Sequence, residues 1–298
     1  MSERLHKLLA HHGLGSRREI EKWMLAGRVI LNNKPAQPGD RYAEGDRVVV
    51  DGKDVSARLR VSAATQVIAY HKPQGQPVEA RMAMQQAAAA ESGEIATTET
   101  VLERLPSVRG ARWLAINTMQ AGDSGLLLLT TDGRLADALR RRSESIPAAY
   151  VARVLITDPQ FDPASLPKLV RYDEETIEFE SVEDIGGEGT NRWFRVESTR
   201  AHRRAAVRAL FDSRGLAVSR VIQVKFGPLE LERDLPRGKH RQLSVAQVRD
   251  LYALAELEPP QMAPVTAAQH RRDRQHPHAA RAKVSERSNA TDIRRPGR

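Results

Sequence analysis

The stretch NTMQAGDSGLLLLTTDG, from Asn117 to Gly133, contains the signals that predict the centre of the fold. Its second half, Leu126 to Thr131, is a continuous and mostly apolar run with the length of one buried strand. The Asp-Gly pair that follows indicates a turn, and the amphipathic residues 134–142 predict a helix after it. We therefore expect a buried strand, a tight turn and a helix at this point of the chain.

Shorter elements are predicted on both sides of this strand. Residues 67–70 and 150–155 are typical of strands, and residues 100–105 predict a helical turn that ends at a proline. The Ala-, Met- and Gln-rich segment 81–99 indicates no more than a short helix or a mobile insertion. Because strands and helices follow one another without regular alternation, we predict an α+β domain with a mixed sheet.

Residues 1–53 predict a separate small module of two helices and a short sheet. Leucines recur at helical spacing in residues 5–9, and Ser16 with Glu19 has the pattern of a capping box at the start of a second helix. The three valines 48–50 then indicate a strand.

The basic charge of the chain lies at its two ends. The formal net charge is +9, and Lys and Arg outnumber Asp and Glu by four in residues 1–62 and by six in residues 259–298. Basic segments around a nearly neutral body suit a polyanion partner, because each neutralised phosphate releases a counterion. The alternative explanation is an ordinary solvated surface.

The N-terminal arrangement resembles the alpha-L RNA-binding module that a small-subunit ribosomal protein shares with several RNA-modifying enzymes. The likeness rests on the paired arginines after Ser16 and on a later Gly-Asp-Arg-Val turn. It implies that four basic side chains contact phosphates, which positions RNA without reading its sequence: Lys7, Arg17, Arg18 and Lys22. The alternative is that these are surface charges on a small helical domain.

Composition divides the rest of the chain into three parts. Residues 54–64 are small and polar and are predicted to be a linker, and residues 65–258 form the α+β domain. Residues 259–298 contain few large apolar side chains and many Arg, His, Ala, Pro and Ser, so we expect a basic, disordered tail.

Several classes of site and location are excluded or disfavoured by the sequence. The chain has no cysteine, which excludes disulfides, thiolate metal sites and a cysteine nucleophile. Its histidines lack a metal-ligand pattern and it has no glycine-rich phosphate loop, so neither a metal nor a cofactor is expected. No apolar run reaches the length of a membrane span, and we expect a cytoplasmic protein without a membrane partner.

Five motifs of the larger domain agree in order and spacing with one enzyme family. The chain resembles the pseudouridine synthases of the RsuA and RluB type, which modify bacterial ribosomal RNA and carry the same N-terminal module. This resemblance implies an enzyme that cuts the glycosidic bond of a uridine, turns the base and rejoins it through carbon, with no metal or cofactor. It also implies structured RNA as partner, either ribosomal RNA or assembling ribosomal subunits. The motifs are YHKPQG, TVLERLP, GLLLLTTDG, AAYVARV and VSRVIQVKFGPLEL.

The catalytic loop departs from the family pattern. In the family it reads Gly-Arg-Leu-Asp-x-x-Thr-x-Gly-Leu-Leu, and its aspartate either attacks the anomeric carbon or removes a sugar proton, which needs an ionised carboxylate. Aligned on Gly125, this chain has Gln120 at the aspartate, Thr118 at the arginine and Asp123 at the threonine. A neutral amide is neither a useful nucleophile nor a useful base.

Asp123 is the nearest carboxylate that could substitute for the missing one. Three extended residues span up to about 10 Å, whereas a catalytic base must come within about 3 Å of its proton. Substitution therefore needs a sharp turn at Gly122, and the alternative is that Asp123 is only a turn residue before a strand.

The resemblance implies two further substrate-binding residues. Tyr150 matches a tyrosine that lies beside the base and can stack on a flipped uracil, although a core tyrosine on a strand is the alternative. Arg208 matches the arginine after valine in a later basic motif. The other family arginine falls on Arg204 or Ala205, because the register there is uncertain by one residue.

Three functions remain open from the sequence. The first, favoured by Gln120, is a ribosomal-RNA-binding homologue of the synthases that is catalytically impaired or inactive, a pseudoenzyme of ribosome biogenesis. The second is an active synthase that uses another carboxylate such as Asp123. The third is an RNA-binding regulatory protein without a ribosomal role.

Removal of residues 259–298 is expected to leave the melting temperature and the cooperativity of unfolding almost unchanged, because little apolar surface there can be buried. Thermal unfolding of the full and the shortened chain, followed by circular dichroism, checks this. A decrease in Tm of more than about 4 °C would mean that the tail docks on the folded part.

Overall fold

The structure is a computed structural model that describes residues 3–59, 65–80, 82, 99–108, 110–200 and 204–260. The chain divides into two compact units, Met1–Met262 and Ala263–Arg298. The second unit, which contains most of the predicted tail, lies outside the described residues, as does nearly all of segment 81–99.

Three helices and short strands form the N-terminal module. Leu5 and Leu9 from the first helix and Ile20 and Met24 from the second are fully buried in a core of their own. The sheets have the orders β1-β4 and β3-β2-β5-β6. The elements are β1 (Glu3–Arg4), α1 (Leu5–His11), α2 (Arg17–Leu25), β2 (Val29–Leu31), β3 (Lys34–Pro35), β4 (Arg41–Tyr42), β5 (Val48–Val50), β6 (Lys53–Asp54) and α3 (Ser56–Leu59).

The capping box predicted for the second helix is present. The Ser16 N–H donates to Glu19 Oε2 at 2.7 Å, and the Glu19 N–H donates to Ser16 Oγ at 3.3 Å. The two side chains therefore satisfy N–H groups that the first turn of α2 leaves without helical partners. Gly27 follows the helix with φ +68°, a conformation that favours glycine at a helix end.

The module is longer than predicted, and the linker is correspondingly shorter. Residues Lys53–Asp54 pair with β5, and the Val48 N–H donates to Ser56 Oγ at 2.8 Å. Leu59 is buried in the core of the module. Residues 54–59 are thus part of the folded module, which corrects the prediction that the linker begins at residue 54. The small and polar side chains here belong to the end of a strand and to a short helix.

A nine-stranded sheet with helices packed on it forms the larger part of the structure. Its main path has the order β13-β14-β10-β15-β9-β7-β17, with β16 paired to β15 and β8 paired to β9. The elements are β7 (Val67–Lys72), α4 (Val101–Arg104), β8 (Leu114–Ala115), β9 (Ser124–Thr130), α5 (Gly133–Arg141), β10 (Ala148–Leu155), β11 (Leu169–Tyr172), β12 (Glu175–Glu178), β13 (Ser181–Glu188), β14 (Asn191–Ser198), α6 (Arg204–Asp212), β15 (Ala217–Phe226), β16 (Leu229–Glu230), β17 (His240–Gln242) and α7 (Val245–Leu254).

The sheet is mixed, so the predicted α+β class is confirmed. Strands β9 and β15 pair in parallel, whereas β7 pairs with β9 and β10 with β15 in antiparallel orientation. Every residue of β9 is buried, as its apolar run predicts. Leu126 and Leu128 pack into the larger core and Leu127 and Leu129 into a second core on the other face, which explains why the run does not alternate.

The parallel pairing of β9 with β15 brings two backbones very close at Gly125. This glycine has φ +117°, and a Cβ placed on it would lie 2.1 Å from the carbonyl oxygen of Gln223. No side chain fits there, so the close approach requires glycine at the start of β9.

We expect Gly125→Ala to lower the free energy of unfolding by about 3 kcal/mol, because backbone strain and a clash with another backbone add together. Gly215→Ala is the control, since Gly215 also has a positive φ, +69°, but its Cβ would meet nothing within 4 Å. That control should lose only about 1 kcal/mol. Urea unfolding measures both losses, and equal losses would contradict the close approach.

Candidate active site

The site is organised around a reverse turn formed by residues 120–123. The Asp123 N–H donates to the carbonyl oxygen of Gln120 at 3.1 Å, which closes the turn. The Gln120 N–H in return donates to Asp123 Oδ2 at 2.7 Å. The carboxylate of Asp123 is thereby folded back to the backbone of residue 120, instead of lying three extended residues away from it.

An arginine from the start of α6 completes an ion pair with this carboxylate. Arg204 Nη1 lies 2.7 Å from Asp123 Oδ2 and is mostly buried, with 14% of the side chain exposed. This contact is an ion pair without hydrogen-bond alignment, because Nη1 and Nε are buried and have no hydrogen-bond acceptor among the described residues. The guanidinium also donates through Nη2 to Gln223 Oε1 at 3.2 Å.

Tyr150 lies on the other side of the same guanidinium. The Arg204 Cζ atom is 5.9 Å from the centre of the Tyr150 ring, within the range of a cation–π contact. The ring is fully buried on β10. Asp123, Arg204 and Tyr150 therefore follow one another from the turn into the sheet.

A buried lysine anchors the turn to strand β7. Lys72 is fully buried, and its ammonium donates to the carbonyl oxygens of Asp123, Ala121 and Pro73 at 2.7, 3.0 and 3.2 Å. Burial lowers the pKa of Lys72 to about 8, with the Asp123 carboxylate acting in the opposite direction and the Arg204 charge adding to the decrease. The lysine thus fixes the carbonyl groups on both sides of Gly122.

Asn117 fixes the beginning of the same loop. Its Nδ2 donates to the carbonyl oxygen of Leu126 at 2.9 Å and to Gln223 Oε1 at 3.3 Å. Its Oδ1 accepts the Leu128 N–H at 2.8 Å. Gln223 Oε1 is therefore shared by Asn117 and Arg204, so one amide connects the loop to the ion pair.

Only some of the site residues predicted from the sequence lie near the Asp123 carboxylate in the structure. Gln120 is exposed and contributes its backbone N–H, and Thr118 is exposed as well. Tyr150 lies at the site beneath Arg204. Arg208 does not reach Asp123, since its Nη1 donates to the carbonyl oxygen of Val218 at 2.8 Å. Of the two arginines weighed from the sequence, the structure brings Arg204 to the carboxylate.

The four basic residues predicted to contact RNA lie on the two helices of the module. Lys7 on α1 forms an ion pair of 3.3 Å with Glu3. Arg17, Arg18 and Lys22 are exposed on α2. Their charges are available to a phosphate backbone, and their contact with RNA stays a prediction.

Sequence reasoning missed Lys72 and Gln223 as site residues. Each left a weak signal, because Lys72 ends the otherwise apolar pattern of β7 and Gln223 interrupts the apolar residues of β15. A fully buried charged or amide side chain needs partners, so polar residues inside predicted strands are candidates for a functional network.

Clusters of possible metal ligands and membrane-spanning helices are absent from the described part of the chain. No group of three or more His, Asp or Glu side chains there could surround a metal ion. The helices found in the same residues are too short or too polar to cross a membrane.

The module and the mixed sheet define a class of protein. The S4 domain family matches residues 3–48, which make up most of the module described above. The chain therefore has an S4 domain followed by a mixed-sheet domain like that of the pseudouridine synthases.

The full chain is similar to enzymes that act on the large ribosomal subunit. It is 36% identical to ribosomal large subunit pseudouridine synthase B of Escherichia coli K12 over 302 residues, covering 100% of this chain and 98% of that protein. Identity to the Vibrio cholerae protein of the same name is 37%, covering 100% and 90% of the two chains. A solved pseudouridylate synthase has 16% identity and a TM-score of 0.47, covering 83% of this chain and 99% of that one. The chain belongs to the family of ribosomal large subunit pseudouridine synthase B.

The stability of the protein is expected to depend on the titration of Lys72. Lys72 binds its proton less tightly in the folded state, so unfolding takes up a proton between about pH 8 and its ordinary pKa of 10.5. The free energy of unfolding of the wild type, relative to that of Lys72→Met, should therefore rise with pH across this window. Urea unfolding at successive pH values measures the difference.

Lys53→Met is the matched control, because Lys53 is exposed on β6. The rise with pH should be larger for the Lys72→Met comparison than for the Lys53→Met comparison. A flat or falling difference for Lys72→Met would contradict a buried ammonium at this position.

Proposed function

We propose that this protein binds large-subunit ribosomal RNA in the cytoplasm and isomerises a uridine with Asp123 as the carboxylate of its active site. One observation carries the proposal: Asp123 Oδ2 lies 2.7 Å from both the Gln120 N–H and Arg204 Nη1. The turn brings this carboxylate to the backbone N–H of Gln120, the position that aligns with the family's aspartate, and this contact supports the use of Asp123 in its stead.

The geometry assigns different tasks to the two oxygens of this carboxylate. Oδ2 accepts the Gln120 N–H and forms the ion pair with the Arg204 guanidinium. Among the described residues no donor contacts Oδ1, and a quarter of the Asp123 side chain is exposed. Oδ1 is therefore the oxygen that can face a ribose, where it attacks the anomeric carbon or removes a sugar proton; in either case the C1′–N1 bond breaks and its electron pair leaves with the uracil. After the base has turned, C5 bonds to C1′, the carboxylate–carbon bond breaks or the sugar proton is returned, and the proton on C5 is lost to solvent.

The neighbouring charges support this use of Asp123. Lys72 and Arg204 place two positive groups beside one carboxylate in a mostly buried setting. They can stabilise the negative charge that develops on the departing uracil when the glycosidic bond breaks. Arg204 also covers the ring of Tyr150, so stacking of a base on that ring needs the guanidinium to move aside.

Two further facts support the proposal that the module recognises RNA and that the RNA is ribosomal. Arg17, Arg18 and Lys22 are exposed on one short helix of an S4 domain. The relatives that share 36% identity over the full chain are named for the large ribosomal subunit. A regulator without a ribosomal role is the weaker proposal for these reasons.

The loss of the aspartate at position 120 favours a second candidate function. Gln120 and Thr118 replace two polar groups of the family loop, and the Asp123 carboxylate is already paired with Arg204. In this second proposal the chain binds ribosomal RNA but turns over slowly or not at all, and acts by holding RNA during assembly.

One comparison separates the two candidates. Wild-type protein should form pseudouridine in protein-free large-subunit ribosomal RNA, and Asp123→Asn should lower the rate by about 10²-fold or more without changing RNA affinity. Asp250→Asn is the control, since Asp250 is exposed on α7. An inert wild type that still binds RNA would contradict the role of Asp123 and support the second candidate.

If the wild type is inert, the double variant Gln120→Asp with Thr118→Arg tests whether the pocket has survived. Gln120→Asp alone should restore little, because a reacting group displaced by about 1 Å loses on the order of 10²-fold in rate. Pseudouridine formed by the double variant but not by Gln120→Asp would support an impaired but intact site. Normal RNA binding with no product would mean that more than one carboxylate has been lost.

A further inference from the structure

A basic cleft lies where the module meets the synthase-like domain. It has a volume of about 290 Å³ and is lined by α1 and α2 on one side and by residues 112–114 and 132–134 on the other. Its cationic side chains are Lys7, Arg17, Arg112 and Arg134, with His11 beside them, whereas its acidic side chains are Glu3 and Asp132.

Both acidic side chains of the cleft are already engaged. Glu3 forms the ion pair with Lys7 at 3.3 Å. Asp132 forms an ion pair with Arg134 at 3.3 Å and accepts the Tyr252 hydroxyl at 2.7 Å. Neither carboxylate is left to neutralise the two other arginines.

Arg17 and Arg112 have no ion-pair or hydrogen-bond partner within the described residues. Glu19 and Glu79 act on Arg112 electrostatically from a distance, but Glu19 already accepts the Ser16 N–H of its capping box. Burial lowers the pKa of Arg112, and the charge of Arg17 lowers it further. A half-buried guanidinium close to a second one is unfavourable unless an anion joins them.

Arg17 reaches from the module to the other side of the cleft. Its Nη2 atom would lie 3.6 Å from a Cβ on Gly133, the first residue of α5. The two unpaired guanidinium groups therefore belong to different parts of the fold, one to α2 and one to the segment before β8. An anion between them would connect these two parts.

We propose that this cleft binds one phosphate of the RNA backbone between Arg17 and Arg112. The inference rests on the proposed function for the identity of the anion, since RNA is the polyanion that the module is proposed to carry. Planar guanidinium groups bind phosphate oxygens in a bidentate way, and a phosphate held from both sides orients the module relative to the catalytic sheet.

The test uses the full chain, protein-free large-subunit ribosomal RNA and four variants: Arg17→Gln, Arg112→Gln, the double variant, and Arg249→Gln as an exposed control on α7. Dissociation constants are measured over a range of salt concentrations. Each single variant should bind about tenfold more weakly, and its plot of log affinity against log salt should be flatter by roughly 0.7 to 0.9.

The double variant decides whether the two arginines share one phosphate. If the two arginines share one phosphate, the double variant loses less binding free energy than the two single variants lose together. The slope of its log affinity against log salt should then differ little from the slopes of the single variants. Additive losses with twice the change in slope would overturn the shared site. Unchanged binding by Arg112→Gln, or an equal loss in Arg249→Gln, would overturn it as well.

Two readouts keep this test separate from folding and from catalysis. Without RNA, Arg112→Gln should have an unchanged or higher Tm, because the substitution removes an unpaired, half-buried charge. A clear decrease in Tm would mean that Arg112 stabilises the fold, and this result would overturn the phosphate site. Pseudouridine formation at saturating RNA reports the proposed function alone. If the wild type forms pseudouridine and the arginine variants bind RNA as tightly as the wild type does, only the phosphate site in the cleft is refuted. If the wild type forms no pseudouridine but RNA binding depends on the two arginines, only the catalytic proposal is refuted.

Discussion

The ammonium of Lys72 is the interaction on which the geometry of the site depends. It is fully buried at the end of β7 and donates to three carbonyl oxygens, two of which belong to the turn between Gln120 and Asp123. A charge can remain in such a place only when backbone dipoles surround it. Lys72 therefore fixes the turn, and the turn fixes where the Asp123 carboxylate lies.

The ion pair of Asp123 with Arg204 follows from the same arrangement. Gly125 allows β9 and β15 to approach closely, which brings Gln223 beside the loop, and the Gln223 amide then orients both Asn117 and Arg204. The site is thus preorganised by the sheet. The Arg204 guanidinium is the exception, because it must move aside if a base is to stack on the Tyr150 ring.

Local signals in the sequence predicted local structure well. The capping box of Ser16 and Glu19 and the helix after Asp132 follow from short-range rules, and both are present. The buried strand predicted for residues 126–131 is present as well, with the bounds Ser124–Thr130. The extension of the module to Leu59 was missed, because its small and polar residues have no periodicity that separates a short helix from a linker.

The composition of the candidate site could not be derived in the same way. The sequence register was uncertain by one residue and left either Arg204 or Ala205 at the position of the second family arginine, so it could not show that Arg204 faces the carboxylate. The turn that brings the Asp123 carboxylate back to Gln120 depends on Lys72. This lysine lies about fifty positions away in the sequence, and only the folded sheet places it beside Asp123. Such contacts come from tertiary packing, and no spacing rule in one sequence contains them.

The most direct test of the role of Asp123 is a distance in a complex. A structure of Asp123→Asn bound to RNA that contains the target uridine gives the separation between the side-chain oxygen of residue 123 and the anomeric carbon of the ribose. We predict that the two atoms lie within about 3.5 Å, the separation of groups poised to react. A separation of more than about 6 Å, with the Gln120 side chain nearest to the ribose, would contradict the assignment of the carboxylate to Asp123.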